Sequence, residues 1–156
     1  MGRKSDIDTR DLKILEILQK NGRASYSEIA RKMGMSEAAI YSRIQKLIKS
    51  GVVKKIQAIL DPEKLGFTVT AFISVAAQPM KYDKVLARIA DIPGVLEVHD
   101  VTGEHYCLIK VRTKDRESLA EILDKIGTLE GVTSTETKIV LRTIKESYEL
   151  PLTRKA

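Results

Sequence analysis

The stretch from Ser25 to Gly51 constrains the fold of this 156-residue chain more than any other part of it. Ser25 and Glu28 have the spacing of a capping box, in which each side chain binds a free backbone N–H in the first turn of a helix. Gly34 then provides a turn, and Ser36 is a typical capping residue for a second helix. The pattern therefore predicts two short helices joined by a glycine turn, a helix-turn-helix.

The second of these helices has an apolar face and a polar face. Ile40, Ile44, Leu47 and Ile48 recur at helical spacing and predict a buried stripe. The opposite face carries small, hydrogen-bonding and basic side chains, which suit the DNA major groove because hydroxyls and amides can read base edges there. A solvated face of an ordinary helical hairpin is the alternative, but the agreement of caps, turn, stripe and basic face favours DNA binding. The predicted DNA-binding residues are Ser36, Ala38, Ala39, Ser42, Arg43, Gln45, Lys46, Lys49 and Lys54.

The segments on either side of the motif extend it into a domain. Asp8 is placed to cap a first helix from Thr9 to about Lys20, whose wide apolar face predicts a three-helix DNA-binding domain. Val52 to Leu60 predicts a strand that would form a short wing, with its lysines placed to contact phosphate. Asp61-Pro62 marks a boundary, since proline cannot continue a strand ladder. The predicted domains are 1–60 and 67–156, joined by a linker at 61–66.

Charge is distributed unevenly between the two halves. Residues 1–60 contain 13 Lys and Arg against 6 Asp and Glu, a net charge of +7, whereas residues 61–156 have a net charge of −1. A basic module joined to a neutral one is typical of a polyanion-binding domain attached to a second function. The expected partner is double-stranded DNA, because the chain has no Trp and few aromatic residues with which to stack single-stranded bases.

Composition also bears on where the protein acts. Cys107 is the only cysteine, so an intramolecular disulfide is impossible and a reducing cytoplasm fits. No apolar run is long enough to span a bilayer, and the N-terminus lacks the apolar core of a signal peptide. We therefore expect a cytoplasmic protein with no membrane partner.

The second half of the chain contains a weak internal repeat of the order β-α-β, β-α-β. This order predicts a ferredoxin-like domain, a four-stranded antiparallel sheet with both helices on one face, and an α+β fold class for the chain. Neither face of the first strand is strongly polar, which predicts that the uncovered face binds a second copy in a dimer or larger assembly. The predicted strands are Phe67–Ala77, Val95–Val101, Tyr106–Val111 and Thr133 to about Lys145, and the predicted helices are Tyr82–Ala90 and Glu117–Leu129.

Four motifs stand in order along the chain: SEAAIYSRIQKLIKSGVVKK, AILDPEKLG, IPGVLEVHDVTGEHYCLIKV and VLRTIKESYELP. Together they resemble the Lrp/AsnC (feast/famine) transcriptional regulators, archaeal members especially, over nearly the whole chain. The resemblance implies a winged helix-turn-helix joined to a ligand-sensing domain that dimerises through its sheets, with dimers often assembling into octamers. It also implies that small molecules, typically amino acids, bind between the dimers.

The resemblance places an effector site where the loop after the second sensing-domain strand faces the start of a neighbour's last strand. In many members this loop has an Asp where the present chain has Tyr106. Glu104 and Glu136 can accept hydrogen bonds from an ammonium group, while backbone N–H groups around Gly103 can donate to a carboxylate. The alternative is a tight hairpin turn at Gly103 with ordinary polar edges. The implied effector-binding residues are Gly103, Glu104, His105, Tyr106, Ser134, Thr135, Glu136 and Thr137.

A metal site is a further possibility in this region. His99, Asp100, Glu104, His105 and Cys107 lie close together in the sequence, and their side chains are transition-metal ligands. They lack C-x-x-C or paired-histidine spacing, however, and strand alternation makes Cys107 a small buried residue. We therefore predict no metal site and no cofactor other than a small amino-acid effector.

The sequence leaves two functional classes open. The first is a sequence-specific transcriptional regulator modulated by a small amino acid or its amide. The second is an architectural DNA-binding protein that does not respond to a ligand. An enzyme is not expected, because the chain has no nucleophile–base pair and no phosphate-binding loop.

Overall fold

The computed structural model of the protein describes residues 7–152. These residues form two compact units, the first made of residues 7–59 with 146–152 and the second of residues 60–145. The C-terminal segment therefore differs from the prediction, which counted it with the second domain. The Gln19 side chain explains the difference, since its amide donates to the Leu150 carbonyl at 3.1 Å and accepts from the Leu150 N–H at 2.7 Å. The predicted linker at 61–66 stays a prediction.

Three helices form the first unit: α1 (Thr9–Lys20), α2 (Tyr26–Met33) and α3 (Glu37–Lys49). Their facing sides bury a small core, in which the largest side chains are isoleucines with almost no exposed surface. Burying each such side chain contributes about 1.5–3 kcal/mol, so this core holds the three helices together. Its buried members are Ile14, Ile29, Ala30, Ile40 and Ile44.

The predicted caps and turn of the first unit are confirmed. The Asp8 side chain accepts from the Asp11 N–H, and Ser25 and Glu28 form the expected capping box. Gly34 ends α2 in the left-handed conformation with φ +63°, which glycine adopts without a steric penalty. Ser36 then caps α3 by accepting from the Ala39 N–H. The short-range signals in the sequence thus coincide with these helix boundaries.

The strand predicted at Val52–Leu60 is wrong. All of residues 51–60 are described, and none is assigned to a strand. Gly51 ends α3 with φ +76°, and the Val53 N–H then donates to the Leu47 carbonyl at 3.1 Å. Residues 54–60, which follow, are exposed and have no regular secondary structure. A strand needs a partner for its backbone groups, and the alternation of residue types on one segment cannot supply one.

The second unit contains four strands and two α-helices in the predicted order. The strands are β1 (Val69–Ala77), β2 (Val95–Asp100), β3 (Cys107–Thr113) and β4 (Val132–Ile139), and the helices are α4 (Tyr82–Ala90) and α5 (Arg116–Gly127). The sheet is antiparallel with strand order β2-β3-β1-β4. This is the ferredoxin-like topology, and the α+β fold class is confirmed.

The last strand ends earlier than the sequence predicts. β4 stops at Ile139, which is paired with Ala71, and the Val140 N–H still donates to the Thr70 carbonyl at 2.9 Å. Beyond that point β4 would run past the start of β1 at Val69. Residues 140–145 keep the composition of a strand, but they have no neighbouring strand to pair with.

One core fills the space between the sheet and its two helices. Alternate residues of β1, namely Ala71, Ile73 and Val75, have no exposed surface, and α4 and α5 bury Ile89 and Ile126 against the same core. Both helices therefore cover one face of the sheet, as the β-α-β repeat predicts. Neither α4 nor α5 lies on the other face.

The open face is more polar than the first strand suggests. Phe72 and Leu108 supply apolar surface, but Phe72 is paired with Lys110, and Lys110 is paired with Glu97. The Lys110 ammonium lies 3.5 Å from the Glu97 carboxylate, and the lysine is only 9% exposed. The prediction of an apolar face considered β1 alone, whereas β2 and β3 place charged side chains beside it.

Among the described residues, no helix combines the length and the apolar character needed to cross a membrane.

Two glycines of the second unit allow a matched test of its packing. Gly103 and Gly131 have φ +125° and +109°, values that side-chain-bearing residues rarely adopt. A Cβ on Gly131 would lie 2.8 Å from the Lys81 Cβ, whereas a Cβ on Gly103 would meet nothing within 4 Å. Gly103→Ala should therefore cost only backbone strain of about 1–3 kcal/mol, and Gly131→Ala should cost about 1–3 kcal/mol more from overpacking. Chemical denaturation measures both changes, and equal costs would contradict this account.

Candidate DNA-binding surface and effector site

The outer face of α3 is exposed in the way a DNA-reading helix requires. Ile40, Ile44 and Leu47 are buried on the inner face, and Ser42 and Lys46 lie on the solvent side. Ile48 was predicted to share the buried stripe but is 41% exposed, because it lies at the edge of the stripe near the end of the helix. An open groove of ≈ 590 Å³ runs along this outer face. Its lining combines hydroxyl, amide and ammonium groups, the donors and acceptors that read bases and contact phosphates. The groove is lined by Tyr41, Ser42, Gln45, Lys46, Lys49 and Ser50.

The other predicted DNA-binding residues occupy less uniform positions. Ala38 and Lys54 are exposed, while Ala39 is half-buried. Ser36 is exposed, but its hydroxyl accepts from the Ala39 N–H at 3.2 Å, so its principal role is to cap α3. These residues stay predicted contacts, with Ser36 and Ala39 serving the helix terminus itself.

Tyr26 and Tyr41 form a contact that sequence reasoning missed. Their rings meet edge to face with centroids 5.5 Å apart, which links α2 to α3 on the exposed side of the helix-turn-helix. An edge-to-face pair adds about 0.5–1.5 kcal/mol to the contribution of burial. Both rings are more than a third exposed, at 39% and 51%. The sequence offers no signal for this pair because the residues lie on different helices.

Arg43 makes contacts that differ from its predicted role. Its Nη1 donates to Asp8 Oδ2 and to Asp11 Oδ1, both at 2.7 Å. The pKa of Arg43 is raised by these hydrogen bonds, that to Asp11 first and that to Asp8 second. The side chain predicted to contact DNA thus connects α3 to the start of α1.

The loop predicted to bind an effector is held by Tyr82, at the start of α4. The Tyr82 hydroxyl lies 2.9 Å from Asp100 Oδ1 and 2.8 Å from the Tyr106 carbonyl, and it can donate to either oxygen. The Tyr82 and Tyr106 rings also meet edge to face at 6.3 Å. Burial raises the pKa of Tyr82, and the hydrogen bond to Asp100 raises it further, so the hydroxyl stays a proton donor. No sequence pattern identified Tyr82.

The loop and β4 lie close together within a single chain. His105 Nε2 is 3.4 Å from Ser134 Oγ. The two segments meet because Val75 of β1 is paired with Cys107 on one side and with Thr135 on the other. The two groups of residues implied by the family resemblance are thus neighbours here without a second subunit.

The acidic side chains of this region are in different surroundings. Glu104 is exposed in the loop, as is Gly103. The Glu136 carboxylate lies 2.8 Å from the Lys138 ammonium, and the hydrogen bond and charge of Lys138 lower the pKa of Glu136. Thr135 is exposed and Thr137 is half-buried, but they alternate with Glu136 on β4 and so lie on the opposite face of the sheet. A zwitterion bound beside Glu136 would meet carboxylate and ammonium groups, with the Ser134 hydroxyl on the same face.

The region around Cys107 does not form a metal site among the residues that the structure describes. No group of three or more His, Cys, Asp or Glu side chains there is arranged to hold a metal ion. Cys107 itself is buried, as predicted, and burial raises the pKa of its thiol to about 11. The thiolate needed for metal binding is therefore disfavoured.

Comparison with known families identifies both units. A model described as a winged helix-turn-helix DNA-binding domain matches residues 7–54, and one described as the Lrp/AsnC ligand binding domain matches residues 70–150. The chain belongs to the Lrp/AsnC family. The helix-turn-helix of this chain is therefore of the winged class. Residues 51–60, all of them described, nevertheless contain no strand.

Similar proteins support this identification along the whole chain. The HTH-type transcriptional regulator FL11 of Pyrococcus horikoshii is 45% identical over 146 residues, covering 94% of this chain and 97% of the relative. A transcriptional regulator from Neisseria meningitidis, solved as a complex with L-Met, is 30% identical with a TM-score of 0.87, covering 93% of this chain and 96% of the other. Escherichia coli AsnC is 32% identical with a TM-score of 0.84, covering 90% and 95%.

These findings establish the general function. This Lrp/AsnC protein is a transcriptional regulator with a DNA-binding domain and a ligand-binding domain, and it is not an enzyme. The predictions of family, fold class and non-enzymatic function are confirmed. The predicted residue roles stay predictions.

We expect Lys46 to contact DNA phosphate. Lys46→Ala should weaken binding to duplex DNA and flatten the slope of log affinity against log salt by about 0.9, the value for one phosphate contact. Lys125→Ala removes the same charge from the last turn of α5 and provides a control that should leave the slope unchanged. Fluorescence anisotropy over a range of salt concentrations measures both slopes, and an unchanged slope in Lys46→Ala would exclude the contact.

We expect the Tyr82 hydroxyl to order the effector loop. Tyr82→Phe keeps the ring contact with Tyr106 but removes the donor to Asp100 and the Tyr106 carbonyl. Loss of this hydrogen bond should destabilise the loop by about 1 kcal/mol. Hydrogen exchange of residues 101–106 should accelerate about fivefold. Tyr148→Phe, at an exposed position in the first unit, is the control. Equal exchange in wild type and Tyr82→Phe would show that the hydroxyl does not hold the loop.

Proposed function

We propose that this protein is a sequence-specific transcriptional regulator whose DNA affinity changes when a small amino acid, or its amide, binds between dimers. The observation that supports the proposal most directly is the 3.4 Å approach of His105 to Ser134, within the part of the chain that matches the family's ligand binding domain. This contact brings together the two segments that the resemblance implies for the effector site. That one structural neighbour was solved with L-Met supports an amino acid as the effector class.

The region has the chemistry that an amino acid needs. Glu104 and Glu136 offer carboxylate oxygens to an ammonium group, and charge-assisted hydrogen bonds of this kind are stronger than neutral ones. Gly103 has no Cβ, so a ligand carboxylate can approach the backbone N–H groups of the loop closely. The Ser134 hydroxyl lies on the same face of β4 as Glu136 and can bond an amide or a hydroxyl side chain, whereas the implied contacts Thr135 and Thr137 lie on the opposite face. The proposed contacts thus cover both ends of a zwitterion.

Tyr106 limits the size of the effector in this proposal. Its side chain is 53% exposed beside the loop, at the position where many family members have an Asp. A phenol occupies more space than a carboxylate and contributes one hydroxyl group in place of a negative charge. We therefore expect a small effector in preference to an aromatic one.

Assembly is part of the proposal, because a site between dimers needs more than one copy of the chain. The open face of the sheet is the proposed dimer surface, with Phe72 and Leu108 as apolar contacts. Dimers would place two copies of α3 on successive turns of the major groove, about 10 bp apart. Further association of dimers, up to an octamer, would create the effector sites. A protein that reads chromosomal DNA in this way would act in the cytoplasm.

The effector would act on DNA binding only through its preference among assemblies. A ligand shifts an equilibrium by no more than the difference between its affinities for the two states. By linkage, DNA must then alter the affinity for the effector by the same factor. The proposal therefore requires reciprocal effects of DNA and amino acid.

An architectural DNA-binding protein without ligand response is the second candidate. It is favoured by Tyr106 in place of the family's Asp, and by the Lys138 ammonium 2.8 Å from the Glu136 carboxylate. Both features reduce the negative charge available to a ligand ammonium group. The two candidates differ in one measurable property, which is whether an amino acid binds at all.

Titration calorimetry with each standard amino acid and with the amides asparagine and glutamine tests the proposal. We expect at least one to bind and to change the affinity for duplex DNA. Glu136→Gln keeps the size of the side chain but removes its charge, so it should weaken effector binding about tenfold or more, the cost of one charge-assisted hydrogen bond. Glu121→Gln, on the exposed side of α5, is the matched control.

Basal DNA binding by Glu136→Gln should stay near that of wild type, because the change lies in the ligand-binding domain. Failure of every amino acid and amide to bind the wild-type protein would favour the architectural candidate. Binding that is unaffected by Glu136→Gln would retain an effector but place it elsewhere.

A further inference from the structure

Two carboxylates at the start of α1 each have two functions. Asp8 Oδ1 accepts from the Asp11 N–H at 2.8 Å, and Asp11 Oδ2 accepts from the Asp8 N–H at 3.1 Å, which completes the capping box. The second oxygen of each carboxylate accepts from Arg43 Nη1 at 2.7 Å. The capping box at the start of α1 therefore also accepts hydrogen bonds from the Arg43 guanidinium group of α3.

Burial makes this contact important for the first unit. Asp11 is only 4% exposed, and its carboxylate would be costly to bury without a positive partner. Asp8 adds a second negative charge close by. Arg43, whose side chain is 27% exposed, is the cation between them. The hydrogen bond from the Asp11 backbone and the interaction with Arg43 both lower the pKa of Asp8.

The direction of the Arg43 side chain separates it from its neighbours on α3. Ser42 and Lys46 line the outer groove, whereas Arg43 points its charged end back to α1. A guanidinium held by two carboxylates has its charge offset locally, which reduces its attraction for DNA phosphate. An apolar core resists separation of α1 and α3 but resists small rotations less, while fixed hydrogen bonds specify one orientation.

We infer that Arg43 is a positioning residue for DNA recognition, which sets the rotation of α3 against α1 through Asp8 and Asp11. In this role Arg43 affects how Ser42 and Gln45 meet the bases, without itself contacting the DNA. Rotation matters to base contacts more than to phosphate contacts, because base-edge hydrogen bonds require specific geometry. The loss of Arg43 should therefore reduce discrimination between DNA sequences more than general affinity.

The test compares two duplexes: one selected by the wild-type protein from a random-sequence pool, and a random-sequence duplex of equal length. Asp8→Asn is the primary variant, because Asn is also a good N-cap and keeps the oxygen that accepts from the Asp11 N–H. The amide NH2 group takes the place of the oxygen that Arg43 holds, and because it cannot accept a hydrogen bond, Arg43 loses this partner. The ratio of selected to random affinity should fall about tenfold, the cost of losing one hydrogen bond between charged groups.

Asp115→Asn is the matched control for this change. Asp115 caps α5 in the second unit by accepting from the Ser118 N–H at 2.7 Å, so the substitution repeats the same change of a capping residue. It should leave the ratio of affinities unchanged. Thermal unfolding of each full-length variant shows whether the fold is retained.

Arg43→Gln provides the second measurement. As a positioning change it should lower the ratio of affinities and leave the salt slope of random-DNA binding unchanged. A phosphate contact predicts the reverse: a slope flatter by about 0.9 with an unchanged ratio. If Arg43 contacts phosphate when it is released from Asp8, the Asp8→Asn variant should bind DNA more tightly than wild type, with no loss of discrimination. Either of those results, or an unchanged ratio in folded Asp8→Asn, would overturn the inference.

Discussion

Burial of one face of α3 is the constraint on which the DNA-binding half depends. Ile40, Ile44 and Leu47 are 0%, 2% and 3% exposed, and each contributes about 1.5–3 kcal/mol that would be lost if the helix turned them to water. The helix can therefore rotate only as far as these side chains stay buried. Its hydroxyl, amide and ammonium groups face outward as a consequence. The surface proposed to meet DNA is thus set by the packing of the core behind it, and Arg43 adds hydrogen bonds to Asp8 and Asp11 at the start of α1.

In the second unit the central strand β1 has the corresponding role. It pairs with β3 on one side and β4 on the other, so it brings together a loop and a strand that are distant in sequence. The buried side chains of β1 face the helices and anchor the sheet, while the end of the strand places His105 near Ser134. Tyr82 adds a hydrogen bond that connects α4 to the same loop. A rigid sheet with a tethered loop at its end is a suitable scaffold for binding a small ligand.

Basic side chains of similar type have different functions in this protein because their surroundings differ. Lys46 is exposed and available for phosphate, whereas Arg43, three residues earlier on the same helix, is held by two carboxylates. In the sheet, Lys110 lies beside Glu97, whose carboxylate also contacts His99, so this lysine serves the fold. Net charge alone identified the DNA-binding half correctly, but it could not separate the cations that bind DNA from those that stabilise the fold.

The sequence by itself determined the features that depend on neighbours along the chain. Capping at Ser25 and Ser36, the left-handed turn at Gly34 and the apolar period of α3 all follow from interactions within a few residues, and the β-α-β order predicted the sheet topology. Only the tertiary structure decided that Arg43 bonds Asp8, 35 residues away, and that residues 52–60 form no strand. The effector residues came from family resemblance, and the structure added Tyr82 and the contact of His105 with Ser134. Only the structure could show these features, because each depends on a contact between residues that are distant in the sequence. The sequence pattern does not identify which distant residue a side chain or a strand will contact.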